Sequence, residues 1–153
     1  MDDLDWKILS ELQVDATVSL DELSRRLGAS KTPIWNRIRK LRDGGVIDRE
    51  VAIVNPQAIG LGACFFVLIR TAEHETGWLE RFVDAVTSMP EVLTAHRLAG
   101  DIDYILQVRV ADAHAFDDFY RRLISKVSIF NVTSLLSMEE IKAQTALPFP
   151  HAD

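Results

Sequence analysis

A chain of 153 residues suits one ordinary domain or two small ones, and 48% apolar with 26% charged residues is the balance of a folded globular protein rather than a disordered one. The longest apolar run, around Ala63–Ile69, is far short of the roughly 20 residues of a membrane span; Asp2, Asp3 and Asp5 are unlike an export signal, and Cys64 alone forms no internal disulfide, so a cytoplasmic location is expected. The formal charge of −6 argues against nucleic acid only until its distribution is read: Arg25, Arg26, Lys31, Arg37, Arg39, Lys40 and Arg42 fall in one stretch without an acidic residue.

Leu4, Ile8, Leu9 and Leu12 recur at helical spacing and predict a first amphipathic helix over Leu4–Gln13. Ser19-Leu20-Asp21-Glu22 reads as a capping box opening a second helix that buries Leu20, Leu23 and Leu27 and closes at Gly28. Ser30 or Thr32 then caps a third helix, with Pro33 in its first turn and Ile34, Ile38 and Leu41 as its buried stripe, ending at Gly44-Gly45. Helix, short turn, helix is the helix-turn-helix pattern. Val46–Val54 is rich in β-formers and reads as a strand or wing, broken at Asn55-Pro56.

Beyond the break the periods change. Ala63–Arg70 is a predicted strand, Trp78–Val86 a helix stopped by Met89-Pro90, Val92–Leu98 a strand, and Gly100–Asp103 a turn into a strand over Tyr104–Val110. Phe116–Ile124 gives a second helix and Val132–Met138 a last strand, which Met138–Ala143 either continues or follows with a new element. The order β-α-β-β-α-β is that of the ferredoxin-like split unit, whose helices cover one face of the sheet. Phe66, Leu68, Ile105, Gln107 and Arg109 alternate onto the other face, which is therefore partly apolar and suited to a dimer partner. The expected fold is α+β: a winged helix-turn-helix domain over 1–50, a strand linker over 51–61 and a ferredoxin-like domain over 62–153.

In the third helix Asn36 and Arg37 are the side chains able to make bidentate contacts with base edges, while Lys31, Thr32 and Lys40 serve phosphates or less exclusive contacts. Ser30 and Pro33 open that helix, and Arg25 and Arg26 end the one before it, where the DNA backbone passes. Arg39 and Arg42 are expected over phosphate or solvent, and Trp35 is expected to pack. The partner implied is double-stranded DNA, and two-fold symmetry implies a pseudo-palindromic operator.

Leu4-Asp5-Trp6-Lys7-Ile8-Leu9, the run from Leu23 to Pro33, Arg37–Leu41, Gly45-Val46-Ile47, Ala99-Gly100-Asp101-Ile102-Asp103-Tyr104 and Ser137–Lys142 together resemble the Lrp/AsnC family of bacterial and archaeal transcription regulators. The resemblance covers nearly the whole chain. It implies a DNA-binding domain, a linker strand and an amino-acid-sensing domain over 62–153 that also carries oligomerisation, in homodimers that assemble into higher oligomers, usually octamers or tetramers of dimers. Lys31–Arg37 and Thr145–Pro148 look more like the regulators of amino-acid catabolism than like the global leucine-responsive members. The resemblance places an effector near the Gly100 turn, implicating Gly100, Asp101, Asp103 and Tyr104, with Thr133, Ser134 and Leu135 opposite. The turn has suitable chemistry, exposed amides for a carboxylate and Asp101 and Asp103 for an ammonium, although a Gly-Asp turn is also ordinary hairpin chemistry. Where many members have Pro-Gly, this chain has Val127-Ser128-Ile129, a departure that bears on that site.

An enzyme is the rival class. His74, His96, His114 and His151 are scattered without metal-ligand spacing, no phosphate-binding or nucleophile-elbow motif occurs, and Cys64 beside Phe65 and Phe66 reads as a packed residue. Neither a cofactor nor a metal is expected.

Overall fold

The computed structural model describes residues 1–71 and 77–149. Three helices, α1 (Asp3–Val14), α2 (Leu20–Leu27) and α3 (Lys31–Asp43), come first. A single 3-10 turn at Gln57–Ile59 leads into β1 (Ala63–Arg70), α4 (Trp78–Thr87), β2 (Val92–Arg97), β3 (Tyr104–Val110), α5 (Ala113–Lys126) and β4 (Asn131–Leu136). The chain divides into two compact units, Met1–Ile53 together with Lys142–Asp153, and Val54–Ile141.

The first unit is a helix-turn-helix preceded by α1. Ile8 and Leu9 of α1, Leu23 of α2 and Ile34, Ile38 and Leu41 of α3 form one buried cluster. Ser19 caps α2 by accepting from the Glu22 N–H, but Glu22 turns away to Arg25 and Arg26, so only half of the expected capping box forms. Gly28 takes the left-handed conformation, φ 62°, that lets the chain reverse into α3 without a Cβ clash. The Ser24 hydroxyl ties that turn by donating to the Ala29 carbonyl at 2.6 Å.

Residues 46–54 form no strand. Val51, Ile53 and Val54 are exposed, and their β-propensity has no neighbouring strand to pair with. This corrects the expected linker strand. Residues 139–149 likewise form no strand or helix.

The second unit is an antiparallel sheet in the order β2-β3-β1-β4. Phe65, Val67 and Ile69 of β1 and Tyr104, Leu106, Val108 and Val110 of β3 face α4 and α5, packing with Trp78, Phe82, Phe119 and Leu123. Trp78, Phe82 and Tyr104 form an aromatic cluster at the edge of that core, with ring centroids 4.5–5.8 Å apart. The unusual loop Val127-Ser128-Ile129 docks here: Val127 is buried, and Ser128 accepts from the Trp78 indole N–H at 2.6 Å.

On the opposite face stand Phe66, Leu68, Ile105 and Gln107, all half-buried. Cys64 is buried as expected, but on this face rather than in the helix-covered core. Residues after β4 lie over that end of the sheet: Ser137 donates to the Cys64 carbonyl, and Glu140 pairs with the buried Arg109 at 3.4 Å.

Candidate nucleic-acid interface and effector turn

Helix α3 exposes one face and buries the other, because Ile34, Ile38 and Leu41 return every three to four residues. Thr32, Asn36, Arg39 and Lys40 occupy the outward face, all exposed. Among the described residues, the side chains of Thr32, Asn36 and Lys40 have no hydrogen-bond or ion-pair partner. Ser30 sits at the N-cap with its hydroxyl making no cap bond, and Lys31 and Pro33 are exposed beside it. The helix therefore begins with free backbone N–H groups and a free hydroxyl, a combination that receives phosphate well.

The other basic residues are engaged. Arg25 and Arg26 both bind Glu22, and Arg26 also reaches Glu11 at 2.7 Å. Lys31 pairs with Asp21, Arg39 with Asp43 at 3.6 Å, and Arg42 with Glu50. The acids that balance this stretch come from outside it, which a reading along the chain does not see. The seven cations do not form one uniform surface; among them only Lys40 lacks an acidic partner among the described residues.

Arg37 departs most from expectation. It is half-buried on the flank of α3 that meets α1, with its guanidinium 2.9 Å from Asp5 and 2.6 Å from Asp2. Asp2 caps α1 by accepting from the Leu4 and Asp5 N–H groups, and Asp5 accepts from the Asp2 N–H in return. Burial works to raise the Asp5 pKa, but the Asp2 N–H and then Arg37 outweigh it, leaving this carboxyl below its ordinary value. Arg37 first, and the Asp5 N–H next, hold Asp2 down as well. Arg37 is thus a strut between α3 and α1 and does not stand with Asn36. The signal for this lay in Asp2-x-x-Asp5, an acidic capping box opening α1. Trp35 reverses its expectation too: it is 48% exposed, with the Arg39 guanidinium over its ring, 5.7 Å from the centroid.

The turn before β3 is held tightly. Gly100 has φ 149°, a value that L side chains rarely adopt. Asp103 accepts from the Thr71 N–H through its carboxylate at 2.8 Å and donates its own N–H to Ile69. Arg70 donates to the Asp101 carbonyl at 2.5 Å. Only the Asp101 side chain stands exposed without a partner among the described residues. Tyr104 is 7% exposed, its ring among Trp78 and Phe82, so it belongs to the core and not to a surface at the turn. In β4, Thr133 pairs with Leu68 and Leu135 with Phe66, placing both on the open face of the sheet, whereas Ser134 pairs with Val67 and points the other way. β4 begins at the sheet end where the turn lies, since Ile69 pairs with both Tyr104 and Val132. Gly100, Asp101 and Asp103 therefore share one end of the sheet with Thr133, while Tyr104 and Ser134 face away. Among the described residues no cluster of His, Cys, Asp and Glu is fit to hold a metal, and no helix is long and apolar enough to cross a membrane; His74 and His151 lie outside those residues.

Two family models match the chain: an AsnC-type helix-turn-helix domain over residues 1–42 and a Lrp/AsnC ligand binding domain over residues 64–147. The glutamate uptake regulatory protein of Zymomonas mobilis is 47% identical over 150 residues, covering 98% of this chain and 92% of its own. An AsnC family transcriptional regulator from Agrobacterium tumefaciens has a crystal structure that superposes with a TM-score of 0.93 at 46% identity, over 97% of each chain. A transcriptional regulator from Neisseria meningitidis, crystallised in complex with L-methionine, superposes with a TM-score of 0.94 at 32% identity, over 99% of this chain and 98% of that one.

Proposed function

The chain belongs to the Lrp/AsnC family of transcription regulators, and from that premise we propose how its two units divide the work. It is a DNA-binding regulator and not an enzyme. The α3 helix enters the major groove with Asn36 reading a base edge, Thr32 beside it and Lys40 on a phosphate. Ser30, Lys31 and Pro33 approach the backbone at the helix N-terminus. Arg25 and Arg26 join them by exchanging Glu22 for phosphate, since exposed ion pairs contribute little and are readily traded. The single observation that carries this reading is the outward face of α3, where Thr32, Asn36 and Lys40 stand exposed with no other described residue to bond.

The second unit takes a free amino acid at the sheet end formed by Gly100, Asp101 and Asp103, with Thr133 and Leu135 lining the approach. Asp101 meets the ammonium; Asp103 holds the turn in shape. The Neisseria relative's complex with L-methionine supports this class of effector. The open sheet face suits pairing of two chains, giving a homodimer on a pseudo-palindromic operator with half-sites about 10 bp apart or a multiple, and an octamer as the higher assembly.

Two measurements test the reading. Operator affinity of the full chain is expected to fall steeply with salt, with a log–log slope of about −0.9 per phosphate contacted, and Lys40→Ala to make that slope shallower by about one. Salt-independent binding would overturn the groove assignment. A thermal-shift screen of the free amino acids is expected to give a stabilising ligand whose effect Asp101→Ala removes. Asp101 is the residue to change, because Asp103→Ala would disturb the turn itself. A shift that survives in Asp101→Ala would move the effector elsewhere.

A further inference from the structure

Trp35 has no place in the core of its own domain. Ile34, Ile38 and Leu41 already supply the buried stripe of α3, and the rest of the helix surface is polar apart from Pro33 and this indole. It stands 48% exposed, and its N–H has no acceptor among the described residues. The Arg39 guanidinium, one turn later, lies over the ring and fixes its orientation. Helical spacing sets Lys31 one turn earlier and Thr32 alongside, and Asn36 follows directly, so the ring borders the outward face without leaving it.

A flat apolar surface in the major groove meets one apolar group there, the C5 methyl of thymine, and beside that methyl thymine presents O4, an acceptor that suits a free indole N–H. We propose that Trp35 is a specificity-determining residue that lays its indole against a thymine next to the base read by Asn36, with Arg39 as the positioning residue that holds the ring. This rests on the role of α3 in DNA reading proposed above. A Trp that merely touched sugar and phosphate would be indifferent to the methyl.

The test uses the full chain and an operator selected by it from a pool of random duplexes. Each thymine is replaced singly by deoxyuridine, which deletes the methyl and keeps O4. Wild type is expected to lose about fourfold in affinity at one thymine per half-site, the value of one buried methyl. Trp35→Ala is expected to bind more weakly and to treat thymine and uracil alike at that position, while Trp35→Phe keeps part of the preference. Trp35 is exposed, so neither variant removes core packing. Wild type indifferent to every methyl, or Trp35→Ala with the wild-type pattern of losses, would overturn the assignment to Trp35 alone. Failure to enrich any sequence from the pool would bring down the DNA-reading role of α3, and this assignment with it.

Discussion

The outward face of α3 and the Gly100–Tyr104 turn both announce themselves in the sequence as clusters of polar residues, yet their groups are engaged differently. On α3, Thr32, Asn36 and Lys40 bond nothing among the described residues. In the turn, Asp103 is bound to Thr71 and Ile69, the Asp101 carbonyl to Arg70, and the Tyr104 ring to the aromatic core. A group without an internal partner is available to a ligand at little cost. One already bonded must break a contact of about 1 kcal/mol first. The comparison separates residues that touch a ligand from residues that shape the place where it lands.

The largest effect that can break this comparison lies within α3 itself, between neighbours. Asn36→Ala is expected to cost about 1–3 kcal/mol of operator affinity, about five- to 150-fold, with the thermal midpoint unchanged. Arg37→Met is expected to do the reverse. It leaves the carboxylate of the buried Asp5 without its guanidinium, lowering stability, while the folded fraction still binds the operator. Paired gel-shift and thermal melts decide it. Equal affinity losses with unchanged melting for both variants would place Arg37 back on the reading face.

A smaller effect sharpens the same distinction at Glu22, whose carboxylate is held down to about 2 by Arg25 first and Arg26 next. Glu22→Gln frees Arg25 and leaves Arg26 with Glu11 alone, so affinity for any duplex is expected to rise a few-fold, with a salt slope steeper by about one. The cost appears in acid. A carboxylate with a depressed folded-state pKa contributes stability that is full above the unfolded value, 4.5, and is lost as pH falls toward the folded one. Wild type should lose that contribution between about 4.5 and about 2, and the variant, having no carboxylate, should show a flatter profile there. Because the pair is exposed, salt should shrink the difference.

Much of the fold was legible because it follows from local rules. The core stripe of α3, the Ser19 cap, the Gly28 reversal and the β-α-β-β-α-β order all rest on period, capping and turn chemistry within a few residues. What was not legible depends on partners far along the chain. Arg37 and Asn36 are equally polar and adjacent, and only the position of Asp5, 32 residues earlier, tells the strut from the reader. Val51 and Ile53 read as strand from their side chains, but a strand needs a neighbour that nothing local supplies. Tyr104 sits in the same short motif as Asp101 and Asp103, yet strand alternation turns it under the helices.

The smallest effect expected is at the tail, where the comparison between engaged and free groups extends to backbone. The Gln13 amide donates to the Leu147 carbonyl at 3.1 Å and accepts from the Leu147 N–H at 2.6 Å, gripping the tail as a neighbouring strand would. Phe149 lies 5.0 Å from the Trp6 ring and packs against the core of the first unit, so residues 142–149 group with α1. Both hydrogen bonds are exposed, so Gln13→Ala should lower stability by only about 1 kcal/mol. The loss should be local. Amide exchange in α1 is expected to quicken while that of β1 and β3 stays unchanged, because local opening follows the contacts of each cooperative unit. Uniform change across both units, or none in α1, would mean that the tail is not held by Gln13. A glutamine at the end of an amphipathic helix carries no sign of this role in the sequence, because its partner is a main-chain segment 134 residues away, whose peptide groups are the same whatever the residue.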